Sequence, residues 1–129
     1  MPRRRSCVDP TRFAELVDEA VAAIPEEFQG YLENVAICID ARPTNLLLES
    51  LDLDPERDTL FGLYEGTALP ERPHDFAGQP PDRITIFREP ILETCATERA
   101  IRREIEHTIV HEIAHFFGMD EQRVRRLGY

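Results

Sequence analysis

The chain has 129 residues and carries 25 acidic against 15 basic side chains, giving a net charge of −10. Such a charge argues against nucleic acid or an anionic membrane surface as the main partner. The three cysteines are widely spaced and odd in number, which predicts neither a disulfide framework nor a cysteine metal site. No run approaches the roughly 18 apolar residues of a membrane span, and no apolar stretch follows the basic start. We therefore expect a cytoplasmic protein.

The chain is predicted to form one domain preceded by a short tail. Residues 1–9 are predicted to form a flexible tail, and 10–129 a single domain, because the length falls within the range of one. A first helix is predicted over 10–24, where apolar residues recur at helical spacing. Asp9 is a plausible N-cap and Pro10 suits the first helical position.

Three short apolar stretches are predicted to be strands, over 35–40, 60–65 and 83–88. The last of them alternates apolar and polar residues, as a half-buried strand does, and the proline at position 90 is predicted to end it. Residues 66–82 are predicted to form a long loop, and loops of that length in small domains are often functional. The acidic, leucine-bearing stretch 41–58 has no assignable structure.

The final third of the chain is dominated by one long helix. It is predicted to begin near 94 or 97 and to end at 117, before Gly118 at the C′ position. A short last helix is predicted from 120 or 121 to 127. The order of helix, strands and two helices predicts an α+β domain with one small sheet. The long helix presents an apolar stripe that includes Ile105, Ile109 and Phe116.

The long helix contains the sequence His111-Glu112-Ile113-Ala114-His115. Residues four apart on a helix share one face, so both imidazoles can reach one metal ion. Glu112 lies about 100° round the helix from His111, close enough to contact a water molecule beside the metal without binding the metal itself. Zinc lowers the pKa of such a water towards about 7, and a carboxylate can then accept its proton. This pattern predicts a zinc site with Glu112 as general base.

A catalytic zinc site usually has three protein ligands and one open position. His107 cannot be the third, because it lies two helical turns, roughly 12 Å, from His115. The remaining candidates follow the helix end, at Asp120 and Glu121. Asp120 also suits the N-cap of the last helix.

The stretch from His111 to Glu121 resembles the extended zincin motif, in which a glycine turns the chain back towards the metal. It looks like that of the small bacterial zincin-like metallopeptidases, or minimal zincins, and segments 60–67, 83–88 and 127–129 are also similar to that family. The resemblance implies a mixed sheet backed by the first helix, with the active-site helix beneath. It also implies Zn²⁺ held by His111, His115 and Glu121, and hydrolysis of a peptide or protein substrate. The usual Met-turn of metzincins is not evident.

Two functions remain open at this stage: a zinc metallopeptidase, and a non-catalytic module that binds peptides on the same scaffold. Tyr64 and Tyr129 could each stabilise an oxyanion or simply pack. Glu104 could orient an imidazole or face solvent. The strand over 83–88 could pair with an extended peptide or lie inside the sheet.

Overall fold

Within the residues that the computed structural model describes, 8–66 and 81–129, three strands form one mixed sheet. They are β1 (Val35–Asp40), β2 (Gly62–Glu65) and β3 (Asp82–Phe87), in the order β1-β3-β2. Strand β1 runs parallel to β3, and β2 runs antiparallel to it. The first strand has its predicted bounds, whereas the other two are displaced at their ends by one or two residues. Most of the predicted tail and loop lie outside the described residues.

The central position of β3 decides one of the open alternatives. Its two neighbours β1 and β2 take both of its edges, so β3 has no free edge for a peptide. Ile84, Thr85, Ile86 and Phe87 are all buried, so both faces of the strand are covered. The alternating pattern had predicted a half-buried strand instead.

The helices surround this sheet and share one hydrophobic core with it. Helix α1 has Asp9 as its N-cap, since the Asp9 carboxylate accepts a hydrogen bond from the Arg12 amide at 2.8 Å. Its buried side chains face α5, against which it packs. In chain order the helices are α1 (Pro10–Ala23), α2 (Glu26–Gln29), α3 (Asn45–Ser50), α4 (Arg88–Thr94), α5 (Glu98–Phe117) and α6 (Glu121–Arg126).

Helix α5 passes beneath the sheet and carries the conspicuous histidines. It begins where the Thr97 hydroxyl accepts a hydrogen bond from the Ala100 amide at 3.0 Å. It ends at Gly118, whose φ of 66° places it in the left-handed region that favours glycine. Ile105 and Ile109 are fully buried as predicted, but Phe116 is 49% exposed and lies outside that stripe.

Three helices, α2, α3 and α4, were not predicted. Pro90, expected to end the third strand, instead lies in the first turn of α4, where a missing amide hydrogen costs nothing. Helix α3 occupies part of the unassigned stretch, with the Thr44 hydroxyl as its N-cap and Leu48 buried. The whole arrangement is an α+β fold with one small mixed sheet, as predicted. Among the described residues, no helix is both long and apolar enough to cross a membrane.

Candidate metal centre

His111, Glu112 and His115 lie on the face of α5 that the apolar stripe leaves free. The imidazole rings of His111 and His115 have their centroids 6.2 Å apart, as expected for side chains one helical turn apart. The His111 ring is half-buried, whereas the His115 side chain is 62% exposed. The pair therefore opens towards solvent at the C-terminal end of the helix.

Gly118 turns the chain so that Glu121 returns to His115. Glu121 Oε1 lies 3.8 Å from His115 Nε2, and both side chains are exposed. Asp120, the other candidate, is the N-cap of α6, and its Oδ1 accepts a hydrogen bond from the Gln122 amide at 2.9 Å. The structure thus brings Glu121 near His115 and gives Asp120 a separate structural role as a helix cap.

The donor set fits zinc by its chemistry, because two imidazoles and one carboxylate form a recognised ligand set. His115 lies near both His111 and Glu121, but the three side chains do not surround one common point. Within 8–66 and 81–129, no group of three His, Cys, Asp or Glu side chains is arranged to hold a metal ion. His111 Nε2 lies 3.2 Å from the main-chain oxygen of Tyr129. His115 and Glu121 are mostly in solvent, so little packing opposes a change of rotamer.

Glu112 is fixed by strand β2. Its Oε1 accepts a hydrogen bond of 2.9 Å from the main-chain amide of Tyr64. Burial raises the pKa of Glu112, and the Tyr64 hydrogen bond and the two neighbouring histidines only partly oppose this shift. A carboxyl whose pKa moves towards neutrality is better suited to accept and return a proton.

The two tyrosines near the site both donate their hydroxyls to carboxylates. Tyr64 donates to Asp82 Oδ2 at 2.7 Å, and Tyr129 donates to the buried Glu106. Burial and the bond to Glu106 raise the pKa of Tyr129 to about 12. An oxyanion role for either hydroxyl would require breaking its present hydrogen bond.

Aromatic contacts hold both tyrosines in place. The Tyr64 ring stacks on Phe116 with centroids 4.0 Å apart. The Tyr129 ring lies 5.2 Å from that of His107, and the guanidinium of Arg103 lies 5.1 Å above it. Packing, the alternative left open by the sequence, is the role that these contacts display.

A cleft of about 250 Å³ runs along α5 beside Glu112. The segment leading into β2 forms one wall, and the polar face of α5 forms the other. Glu104 lies on the helical wall, where its Oε2 accepts a hydrogen bond from the Thr108 hydroxyl at 3.2 Å. The lining residues are Thr59, Leu60, Phe61, Gly62, Glu104, His107, Thr108, His111 and Glu112.

A comparison with family models agrees with this geometry. The model described as zincin-like metallopeptidase matches residues 32–129, which is most of the chain and includes both the sheet and the histidine helix. The protein belongs to this family. The fold also matches a solved structure of a conserved hypothetical protein from Thermus thermophilus, with a TM-score of 0.53 and 24% identity. That match covers 92% of this chain and 99% of the other, and at this identity it shows the fold alone. No curated protein matches the sequence.

Proposed function

We propose that this member of the zincin-like family hydrolyses peptide bonds as a zinc-dependent metallopeptidase, with Glu112 as its general base. The observation that carries the proposal is the placement of Glu112. Glu112 shares one helix face with two histidines, and its side chain lines an open cleft and is anchored by the Tyr64 amide. Family membership supports the same conclusion.

His111, His115 and Glu121 are the residues that would hold the ion. A bound zinc supplies Lewis-acid chemistry there, polarising a carbonyl and lowering the pKa of a water molecule. The contact between His115 and Glu121 supports this ligand set over one that includes Asp120, whose carboxylate is used in capping.

Glu112 accepts a proton from the attacking water and returns it to the leaving amine. Its Oε1 is bound by the Tyr64 amide, so the carboxylate cannot swing freely away from the cleft. Among the described residues, Oε2 has no hydrogen-bond partner and is available for the proton. The raised pKa of Glu112 makes its carboxylate a stronger base for accepting the proton of the attacking water.

A second candidate is a non-catalytic module that binds peptides in the cleft. The specific observation in its favour is that, among the described side chains, the three donors are not gathered round one point. This hypothesis predicts peptide binding without turnover, even with excess zinc.

The Glu112→Gln variant tests the proposal. Glutamine keeps the size of the side chain and can still accept the Tyr64 hydrogen bond, but it cannot accept a proton. We expect zinc content to remain unchanged while the rate of peptide cleavage falls by about a hundredfold or more. Glu33→Gln, at an exposed glutamate before β1, is the matched control and should cleave like the parent.

Two results would contradict the proposal. Cleavage by Glu112→Gln at the parent rate would remove Glu112 as general base. Peptide binding without cleavage by the zinc-loaded parent would favour the binding module.

A further inference from the structure

We infer that the cleft beside Glu112 selects peptides with a Lys or Arg side chain, which Glu104 binds. The inference rests on the proposed function for its account of cleavage, and it names the class of substrate. It starts from Glu104, which among the described residues is the one acidic side chain lining the cleft that the proposed chemistry does not use.

Glu104 has an available carboxylate. Its Oε2 accepts the Thr108 hydroxyl hydrogen bond, which orients the group, and no basic side chain of the described residues forms an ion pair with it. Other glutamates of α5 are paired differently: Glu98 with Arg12 at 2.8 Å, and Glu106 with Arg103 at 3.9 Å. A half-buried carboxylate in a cleft wall, oriented but without a counter-ion, is a binding group for a cation.

The opposite wall suits a long cationic side chain. Leu60 and Phe61 face the cleft from the segment before β2. Lys and Arg place their aliphatic stems along apolar surface while the charged end remains hydrated or paired. Apolar contact for the stem and a carboxylate for the charge therefore lie in one cleft.

The distance from Glu104 to Glu112 sets where the cation would lie in the substrate. The two residues are two turns apart on α5, a rise of about 12 Å. An extended peptide advances about 3.3 Å per residue, so this distance corresponds to roughly three or four residues. Because a Lys or Arg side chain is itself long, we place the cationic residue about two to four positions from the cleaved bond.

The net charge of −10 adds a weaker, long-range attraction for basic peptides. Salt screens that attraction over about 10 Å at 0.1 M, whereas a direct contact with Glu104 inside the cleft is screened less. A lysine preference that depends on Glu104 alone therefore distinguishes a direct contact in the cleft from the attraction due to the net charge.

The test uses the zinc-loaded full chain and a panel of quenched peptides of one neutral sequence. Each peptide carries a single lysine at one position, and its partner carries acetyl-lysine there, which has a similar stem and no charge. We expect lysine to raise kcat/KM by about tenfold at one position, mainly through KM, since hydrogen bonds to charged groups are of this strength. Glu104→Gln should abolish the preference, and Glu104→Lys should transfer it to a peptide with glutamate. Glu33→Gln should retain the lysine preference.

Binding to the Glu112→Gln variant, measured by calorimetry, separates this inference from the proposed function. If the zinc-loaded parent cleaves no peptide but lysine peptides bind about tenfold more tightly than acetyl-lysine peptides, and only when Glu104 is intact, the inference survives while the proposed function fails. Cleavage or binding with equal preference for lysine and acetyl-lysine would overturn the inference, and so would a preference that Glu104→Gln leaves unchanged.

Discussion

Gly62 allows strand β2 to pass close enough over α5 for the Tyr64 amide to reach Glu112. A Cβ at position 62 would lie 2.5 Å from Thr108 Cγ2 and 3.0 Å from the Thr85 main-chain oxygen. Both distances are shorter than ordinary contacts, and Thr108 is itself buried. The strand could accept a side chain here only by moving away from the helix.

Gly62→Ala should therefore destabilise the protein. We expect the free energy of unfolding to fall by about 1–3 kcal/mol in urea denaturation, the usual cost of an extra methyl group in a packed core. Thr108→Ser, which lacks Cγ2 but keeps the hydroxyl, should recover part of that loss. Gly30→Ala is the control, because no atom of the described residues, its own chain neighbours aside, lies within 4 Å of its added Cβ. An unchanged stability for Gly62→Ala would show that β2 is not held at this distance.

At the scale of single residues, the sequence predicts the roles that depend only on positions nearby in the chain. His111, Glu112 and His115 were identifiable because helical spacing alone puts them on one face. The partners of Glu112 and Glu106 were not, since Tyr64 and Tyr129 lie 48 and 23 residues away in sequence. Glu106 is only 8% exposed although it is an acidic residue, because its carboxylate accepts a hydrogen bond from the Tyr129 hydroxyl.

At the scale of elements, the turn between α5 and α6 contains two adjacent acidic residues, one of which caps a helix while the other is a proposed metal ligand. Asp120 caps α6, whereas Glu121 approaches His115. We expect Asp120→Ala to lower the free energy of unfolding by about 1 kcal/mol and to keep zinc affinity. Glu121→Ala should reduce zinc affinity by more than about tenfold with little loss of stability.

Competition with a chelating dye gives the affinities, and urea denaturation gives the stabilities. The opposite pattern, with zinc lost on changing Asp120 and retained on changing Glu121, would exchange the two roles.

Helix and strand ends that depend on a few adjacent residues could be predicted from the sequence. The first strand, the capped start of α1 and the left-handed glycine after α5 are as predicted, because each depends on a few adjacent residues. Helix α4 is not predictable in this way, because a proline after a strand favours the end of regular structure, although proline is also tolerated in a first helical turn. Helix α3 buries only Leu48, so its sequence has no clear apolar periodicity.

At the scale of the whole molecule, one core joins the sheet to α1 and α5. The mixed α+β class followed from the order of the elements, but the strand order did not. Strand β3 is central because β1 pairs with it in parallel and β2 returns antiparallel on its other side. Such pairing is between segments far apart in sequence, which local alternation does not reveal.

The zinc content of the purified protein, measured by mass spectrometry after reconstitution with excess zinc, tests the central claim most directly. We expect about one zinc ion per chain in the parent and loss of the ion in His111→Ala, with the folded state retained by circular dichroism. No bound zinc in the parent, or an equal content in His111→Ala, would contradict the proposed metal centre.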